Sequence, residues 1–286
     1  MTARRFPTLD PLALAETRDA LHQYAQMLGA YLKTCRPKRK HWWHASLRPS
    51  LRGLSTGVVH ANISFELLLD LRAGELQGET ATGERLAEPL RGQSGAELAT
   101  RLQNFLIDAG VETSSAPPPS PGAGETFSGY SAQQADGLAS ALDSVSAAMA
   151  LFRAGIRAET SPIQLWPHHF DLSMLWLPGG KIPSEDPADE EAADKQMNFG
   201  FTFGDAGIPE PYLYVTAYPL PAGLPRISLP AGTTWRTQPF NGAVLLYRTL
   251  ENMDEPAAYL LDLWQTLLAA GEQQLGGYNR TEAKWN

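Results

Sequence analysis

Two short segments of the chain carry polar side chains whose types and spacing could do chemistry. The first contains His44, Ser46 and Arg48, and the second contains His169 and Asp171. A histidine that is oriented by a carboxylate can act as a general base, and a nearby serine can be the nucleophile. An arginine can hold an anionic substrate through a bidentate contact. These residue types therefore predict either proton-transfer chemistry or the binding of a polar small molecule.

The histidines and the carboxylate also allow a metal site as a second interpretation. His169 and Asp171 share one face if they lie on a strand, and His44 joins them if the two segments are neighbours. Three such ligands suit a mononuclear metal ion that keeps an open coordination position. A strand histidine that bonds to the backbone or to Asp171 is the simpler interpretation. We therefore assign no metal ligand, and the residues identify no cofactor.

Local structure decides whether these side chains point in one direction. The residues from 42 to about 90 follow a period of two, which predicts strands. On such a strand His44, Ser46 and Arg48 share one face, and Trp43 lies on the opposite face, where it can pack in a core or line a pocket. A strand predicted over 164–177 would order the second segment in the same way. Each segment thus contributes one polar row.

Capping residues locate the helices around these segments. An Asp-Pro pair at 10–11, capping boxes at 94–97 and 131–134, and Pro256 are each typical of a helix start. Pro37 should end the first helix, because proline cannot donate to the helix hydrogen bonds. Strands are predicted over 65–71, 75–80, 198–203, 212–218 and 243–248.

A segment rich in proline, glycine and serine divides this plan near the middle of the chain. It spans residues 112–130 and is a linker by composition. Residues 1–111 and residues 131–286 each have the pattern helix, antiparallel strands, helix. An acidic loop over 178–197 interrupts the second half. The sequence therefore predicts an α+β fold of two pseudo-repeated halves that pack as one compact unit.

Charge narrows the classes of partner. The chain has 286 residues and a net charge of −8, which argues against general affinity for nucleic acids or membranes. No apolar run approaches the roughly 20 residues that a membrane helix needs. The lysines and arginines within 33–52 are a local exception, since cations beside Trp42 and Trp43 can form a surface for phosphate and stacking. The simpler interpretation is a solvated helix end whose cations complement the helix dipole.

Cysteine content indicates the redox environment. Cys35 is the only cysteine, which excludes disulfide bonds within the chain and cysteine-based zinc sites. The first residues lack the apolar stretch of a secretory signal. These features predict a cytoplasmic location and leave the oligomeric state open.

Several blocks of the sequence resemble one bacterial family that is classed only as a domain of unknown function. The most specific block is Lys-His-Trp-Trp-His-Ala-Ser-Leu at 40–47, and Arg-Gly-Leu-Ser-Thr follows it at 52–56. A second block runs from Ser-Pro at 161–162 to Phe-Asp-Leu at 170–172, and a third covers 214–219. The resemblance spans nearly the whole chain and implies a bacterial protein. It brings no activity, because no substrate or catalytic residue is established for the family.

The resemblance and the strand geometry select the same pair of residues. The family usually has small residues where this chain has His168 and His169, so His44 and Asp171 are the candidate catalytic pair. We predict that a small molecule binds in a cleft between the halves. The predicted binding residues are Trp43, Ser46, Arg48, His169 and Tyr218. One alternative is a hydrolase or lyase that uses the His/Asp pair with or without a metal, and another is a non-catalytic interaction protein.

Overall fold

Helices and antiparallel sheets make up the protein. The computed structural model describes residues 6–112 and 122–276, so residues 113–121 of the predicted linker lie outside the described residues. The predicted α+β fold is confirmed. The α-helices are α1 Pro11–Cys35, α2 Gly95–Asp108, α3 Ala132–Ala154, α4 Glu190–Ala193, α5 Arg248–Glu251 and α6 Pro256–Leu275. Two 3-10 helices span Lys40–Ala45 and Leu224–Arg226.

The first sheet is an antiparallel meander in which five strands follow each other in sequence order. Its strands are β1 Arg48–Ser50, β2 Gly53–Ser55, β3 Phe65–Asp70, β4 Glu75–Thr80 and β5 Arg85–Pro89. In the hairpin between β3 and β4, Asp70 pairs with Glu75, and Gly74 takes a φ of 70° that suits glycine. Helix α1 contacts α2, β3 and the 3-10 helix Lys40–Ala45. This helix therefore carries the segment in which the sequence predicts chemistry.

The second sheet has the strand order β11-β12-β10-β9-β8-β6. The strands of the later part of the chain are β6 Glu159–Thr160, β7 Gln164–Trp166, β8 Asp171–Leu177, β9 Gln196–Thr202, β10 Tyr212–Tyr218, β11 Thr233–Arg236 and β12 Gly242–Leu246. The Phe152 ring lies 4.9 Å from Phe199 and 5.5 Å from Trp264, measured between centroids. These rings pack α3 and α6 onto β9 and bury apolar surface between them.

The predicted helix starts are confirmed by hydrogen bonds. Asp10 accepts from the backbone amide of Leu12 at 3.0 Å, and Ser94 and Ser131 accept from the amides three residues later at 3.2 and 3.4 Å. Such bonds satisfy amides that helix geometry leaves without partners. Helix α6 begins at Pro256 as predicted. None of the helices in the described ranges is long and apolar enough to cross a membrane.

The chain divides into two compact units. Among the described residues, the N-terminal unit comprises Pro7–Ser144 together with Gln164–Leu172, and the C-terminal unit holds Phe6 and residues 145–163 and 173–276. The segment 164–172 thus belongs to the unit that also contains the 3-10 helix Lys40–Ala45. Both segments with candidate chemistry lie within one unit.

Two of the predicted strands are wrong. Residues 40–45 form a 3-10 helix, in which His41 and Trp42 have φ of 47° and 56°. The predicted strand over 164–177 is interrupted by a turn at 167–170 and resumes at Asp171. Extended strands need negative φ, so these positive values end the alternation of side chains on which the strand predictions depended.

Candidate functional site

Both candidate segments approach helix α1 at Gly29. A Cβ atom at this position would lie 2.7 Å from Pro167 Cγ and 3.3 Å from the carbonyl oxygen of Ala45. Glycine inside a helix costs roughly 0.5–1 kcal/mol relative to alanine, and this close approach explains why glycine stands here. Helix α1 is therefore the support that places the 3-10 helix and the turn 167–170.

A pair of backbone hydrogen bonds joins the two segments directly. The Leu47 amide donates to the Leu165 carbonyl at 3.0 Å, and the Leu165 amide donates back at 2.8 Å. Both leucines are fully buried, which keeps water away from these bonds. A site shared by the two segments requires that they are neighbours in space, and these two hydrogen bonds place them side by side.

A buried glutamine ties the predicted site residues Ser46 and Arg48 together. Gln164 Oε1 accepts from Ser46 Oγ at 2.7 Å and from Arg48 Nη1 at 2.8 Å. A guanidinium can only donate, so the amide atom that faces Arg48 must be oxygen. Ser46 Oγ also lies 2.9 Å from the Trp43 carbonyl oxygen, and its single proton can serve only one of the two acceptors at a time. These contacts hold the end of the 3-10 helix against β7.

Removal of the Ser46 hydroxyl should destabilise this junction. The Ser46→Ala variant is expected to lower the free energy of unfolding by about 1 kcal/mol, because the buried Gln164 side chain and the Trp43 carbonyl lose the donor that they share. Urea unfolding followed by tryptophan fluorescence measures the change. Thr100→Ala is the matched control, since it removes an exposed hydroxyl that donates to the Ala96 carbonyl. Equal stability losses in both variants would contradict the role given to Ser46.

Backbone strain is concentrated in the two segments. Among the described residues other than glycine, only His41, Trp42 and Phe170 have positive φ, and the value for Phe170 is 55°. Such conformations cost on the order of 1–3 kcal/mol each for residues with a side chain, and they cluster at functional sites. All three lie in the segments in which the sequence predicts chemistry.

The strained 3-10 helix presents one tryptophan to solvent among cations. Trp42 is 41% exposed, and the Nζ atoms of Lys33 and Lys38 lie 5.3 and 5.1 Å from its ring centroid. The His44 ring stacks on Trp42 with 5.5 Å between centroids. Neither lysine forms an ion pair with a carboxylate of the described residues. We refer to the exposed Lys33, Lys38 and Trp42, together with the His44 ring, which is only 4% exposed, as the Trp42 surface.

Hydrogen bonding and charge determine the protonation of His44. The Arg39 amide donates to His44 Nδ1 at 3.2 Å, so this nitrogen is an acceptor and the neutral ring carries its proton on Nε2. Burial lowers the pKa of His44, and the positive charges of Lys33, Lys38 and Arg36 lower it further. Near neutral pH the His44 ring is therefore an uncharged hydrogen-bond donor through Nε2.

Protonation of His44 should destabilise the folded protein as the pH falls. Its pKa in the folded state is below the ordinary value of about 6.5, so the unfolded chain binds the proton first. The free energy of unfolding is expected to decrease as the pH drops below about 6.5. A His44→Gln variant should lose less stability than the unmodified protein between about pH 7 and pH 5 in urea titrations. Identical losses would contradict this explanation.

Three further histidine rings lie at the turn 167–170. His168 and His169 are both exposed, with 4.2 Å between ring centroids. Partial burial lowers the pKa of His168 to about 4, with smaller contributions from His169, Lys33 and His22. His22 stacks on Phe170, and its Nε2 lies 3.2 Å from the His168 carbonyl oxygen. The turn is thus fixed to α1 by a histidine.

The remaining predicted site residues are not arranged as one strand row. Asp171 is buried at the start of β8, whereas His169 lies in the preceding turn, so their predicted shared strand face is wrong. Tyr218 ends β10 in the C-terminal unit. Within the described ranges no three His, Cys, Asp or Glu side chains are grouped so as to hold a metal ion. The catalytic role of His44 with Asp171 stays a prediction.

Comparison with known proteins gives a family and no activity. A model described as a family of unknown function, DUF5996, matches residues 6–284. The chain belongs to this family. The predicted resemblance to a family of unknown function is thereby confirmed. No curated protein and no solved structure matches the chain.

Three side chains of this DUF5996 protein contribute to the site beyond those that the sequence selects. Gln164 is a polar residue in the apolar stretch before Trp166, and such a position signals a buried hydrogen-bonding role. Lys33 and Lys38 belong to the basic group near Trp42, for which a solvated helix end is the simpler interpretation from sequence. The sequence does not show that these two lysines lie close to the Trp42 ring, because that distance depends on the fold.

Proposed function

We propose that this protein binds a small anionic molecule at the Trp42 surface. The observation that carries the proposal is an exposed tryptophan that strained backbone holds within 5.3 Å of two lysine ammonium groups. An anion placed there would gain two charge-assisted hydrogen bonds, which are the stronger class. The proposal thus specifies that the predicted small-molecule ligand is negatively charged.

Local charge favours an anion although the whole chain is negative. The net charge is −8, but screening limits the reach of distant exposed carboxylates to roughly 8 Å at physiological salt. Two ammonium groups beside one ring repel each other, and a bound anion would replace that repulsion with attraction. The affinity of such a site should decrease as salt is added.

The other predicted residues have positioning roles in this proposal. Ser46, Arg48 and Trp43 hold the end of the 3-10 helix through Gln164, and this fixes the backbone that presents Trp42. His169 lies in the turn that contacts α1. Tyr218 belongs to the C-terminal unit and has no role in this proposal. The ligand is assigned to the N-terminal unit because each contributing side chain belongs to that unit.

His44 would act as a donor to the ligand. A general base needs an unprotonated nitrogen that can reach its substrate. The Arg39 amide occupies Nδ1, and Nε2 carries the proton in the neutral ring, so the described bonds favour donation from His44. This observation supports binding over the alternative of a hydrolase or lyase with His44 as base. We place the protein in a bacterial cytoplasm, as the sequence predicts.

A thermal unfolding series tests the proposal. Phosphate, sulfate and acetate are added to the full-length protein at constant ionic strength maintained with sodium chloride, and the uncharged glycerol serves as the comparison. At least one anion should raise the unfolding midpoint with a saturable dependence on concentration, because binding to the folded state stabilises it. Midpoints that are the same in all salts would overturn the proposal.

A further inference from the structure

We infer that the anion bound at the Trp42 surface is a phosphoryl group, either a phosphate monoester or inorganic phosphate. This inference rests on the proposed function and specifies the chemical class of its ligand. Three observations support it: the donor groups that the surface offers, the positive charge of Lys33 and Lys38, and the hydrogen bonds that already occupy Arg36.

An arginine that could recognise a carboxylate is already engaged elsewhere. Arg36 lies between Lys33 and Lys38 in the sequence, and its Nη2 donates to the carbonyl oxygens of Thr56 at 2.7 Å and Val58 at 3.0 Å. The guanidinium fork is the side chain whose planar geometry matches a carboxylate. Because Arg36 holds the chain after β2, the donors that the Trp42 surface itself offers are the ammonium groups of Lys33 and Lys38.

The donors of the Trp42 surface suit a tetrahedral anion. Each lysine ammonium is a compact charge with three donors that can rotate to meet an oxygen. His44 Nε2 adds a neutral donor, since its other nitrogen accepts from the Arg39 amide. A phosphate monoester has three strongly accepting oxygens. Lys33, Lys38 and His44 together provide three donor groups for them.

Charge also distinguishes a phosphoryl group from a carboxylate. Lys33 and Lys38 carry two positive charges at neutral pH, and no described carboxylate pairs with either. A phosphate monoester carries about −1.5 to −2 at pH 7 and compensates both. A carboxylate carries only one negative charge and would leave the repulsion between the ammonium groups partly uncompensated.

Calorimetric titration of the full-length protein tests this inference. Phenyl phosphate, inorganic phosphate and benzoate are titrated at about pH 7.5 and low ionic strength. At least one phosphate should bind roughly ten times more tightly than benzoate, and Lys33→Ala/Lys38→Ala should remove that preference. Lys181→Ala is the matched control, since it removes a lysine of the C-terminal unit. Tighter binding of phenyl phosphate than of inorganic phosphate identifies a monoester, and the reverse identifies free phosphate.

The remaining outcomes separate this inference from the proposed function. Benzoate binding as tightly as both phosphates, with loss in the double variant, would overturn the phosphoryl assignment and leave anion binding intact. Failure of all three compounds to bind would overturn both. A single-stranded oligonucleotide that bound when neither phosphate did would also overturn the inference, in favour of a nucleic-acid partner. Circular dichroism of the double variant shows whether it is folded, and the single variants Lys33→Ala and Lys38→Ala provide the same test if it is not.

Discussion

The Lys33→Ala/Lys38→Ala double variant is expected to lose about 100-fold or more in affinity for the anion that binds best to the unmodified protein. Hydrogen bonds to charged groups contribute roughly 1.5–3 kcal/mol each, and two are lost together. Both lysines are exposed, so their removal leaves the core intact. The measurement is calorimetric titration at low ionic strength.

The same variant changes the protonation of His44. Lys33 and Lys38 both lower the pKa of His44, so their removal should raise that pKa toward its ordinary value. A pH titration followed by NMR of the His44 ring measures this effect. The Lys181→Ala control should leave both the anion affinity and the His44 titration unchanged. Unchanged affinity in the double variant would contradict the assignment of the lysines to the site.

The Gly29→Ala variant is expected to lower the free energy of unfolding by about 1–3 kcal/mol, although alanine is the better helix former. The new methyl group would meet the Pro167 ring at 2.7 Å and the Ala45 carbonyl at 3.3 Å, so both segments must move. Overpacking of this kind forces backbone shifts. Anion affinity should fall as well, because the 3-10 helix is displaced. Urea unfolding and calorimetry measure the two effects.

Gly137→Ala is the matched control for this substitution. Gly137 also lies inside a long helix, in the part of α3 that belongs to the N-terminal unit, and the nearest atom to its added Cβ would be Leu9 Cδ2 at 3.7 Å. This is ordinary van der Waals contact, so the variant should gain about 0.5–1 kcal/mol from helix propensity. A similar gain in Gly29→Ala would contradict the packing of Pro167 and Ala45 against α1.

Much of the fold is predictable from sequence where local chemistry decides it. Asp10 and Ser94 mark helix starts because their side chains accept from amides a few residues later, and these bonds form in the structure. The strand β3 and the meander around it follow from alternating apolar residues and glycine turns. Such features depend on neighbours in the chain, so the sequence alone contains their signal.

The site is less predictable because tertiary contacts override local preference. Aromatic residues at 42 and 43 favour a strand, yet the chain takes positive φ at His41 and Trp42 and packs against α1. The pairing of Leu47 with Leu165 joins segments more than 100 residues apart. No local pattern shows that Gln164 accepts from Ser46 and Arg48. The sequence therefore selects the two segments, but it shows neither that they meet nor which atoms face each other.

NMR of the tryptophan indole groups during a phosphate titration shows whether the anion binds at the Trp42 surface. The indole N–H signal of Trp42 and the ring signals of His44 should shift with one saturable binding curve, and a Trp42→Phe variant assigns the indole signal. The indole signal of Trp264, which is buried in the C-terminal unit, should not move. Phosphate that stabilises the protein without shifting the Trp42 or His44 signals would show that the anion binds elsewhere, and the proposed site would be wrong.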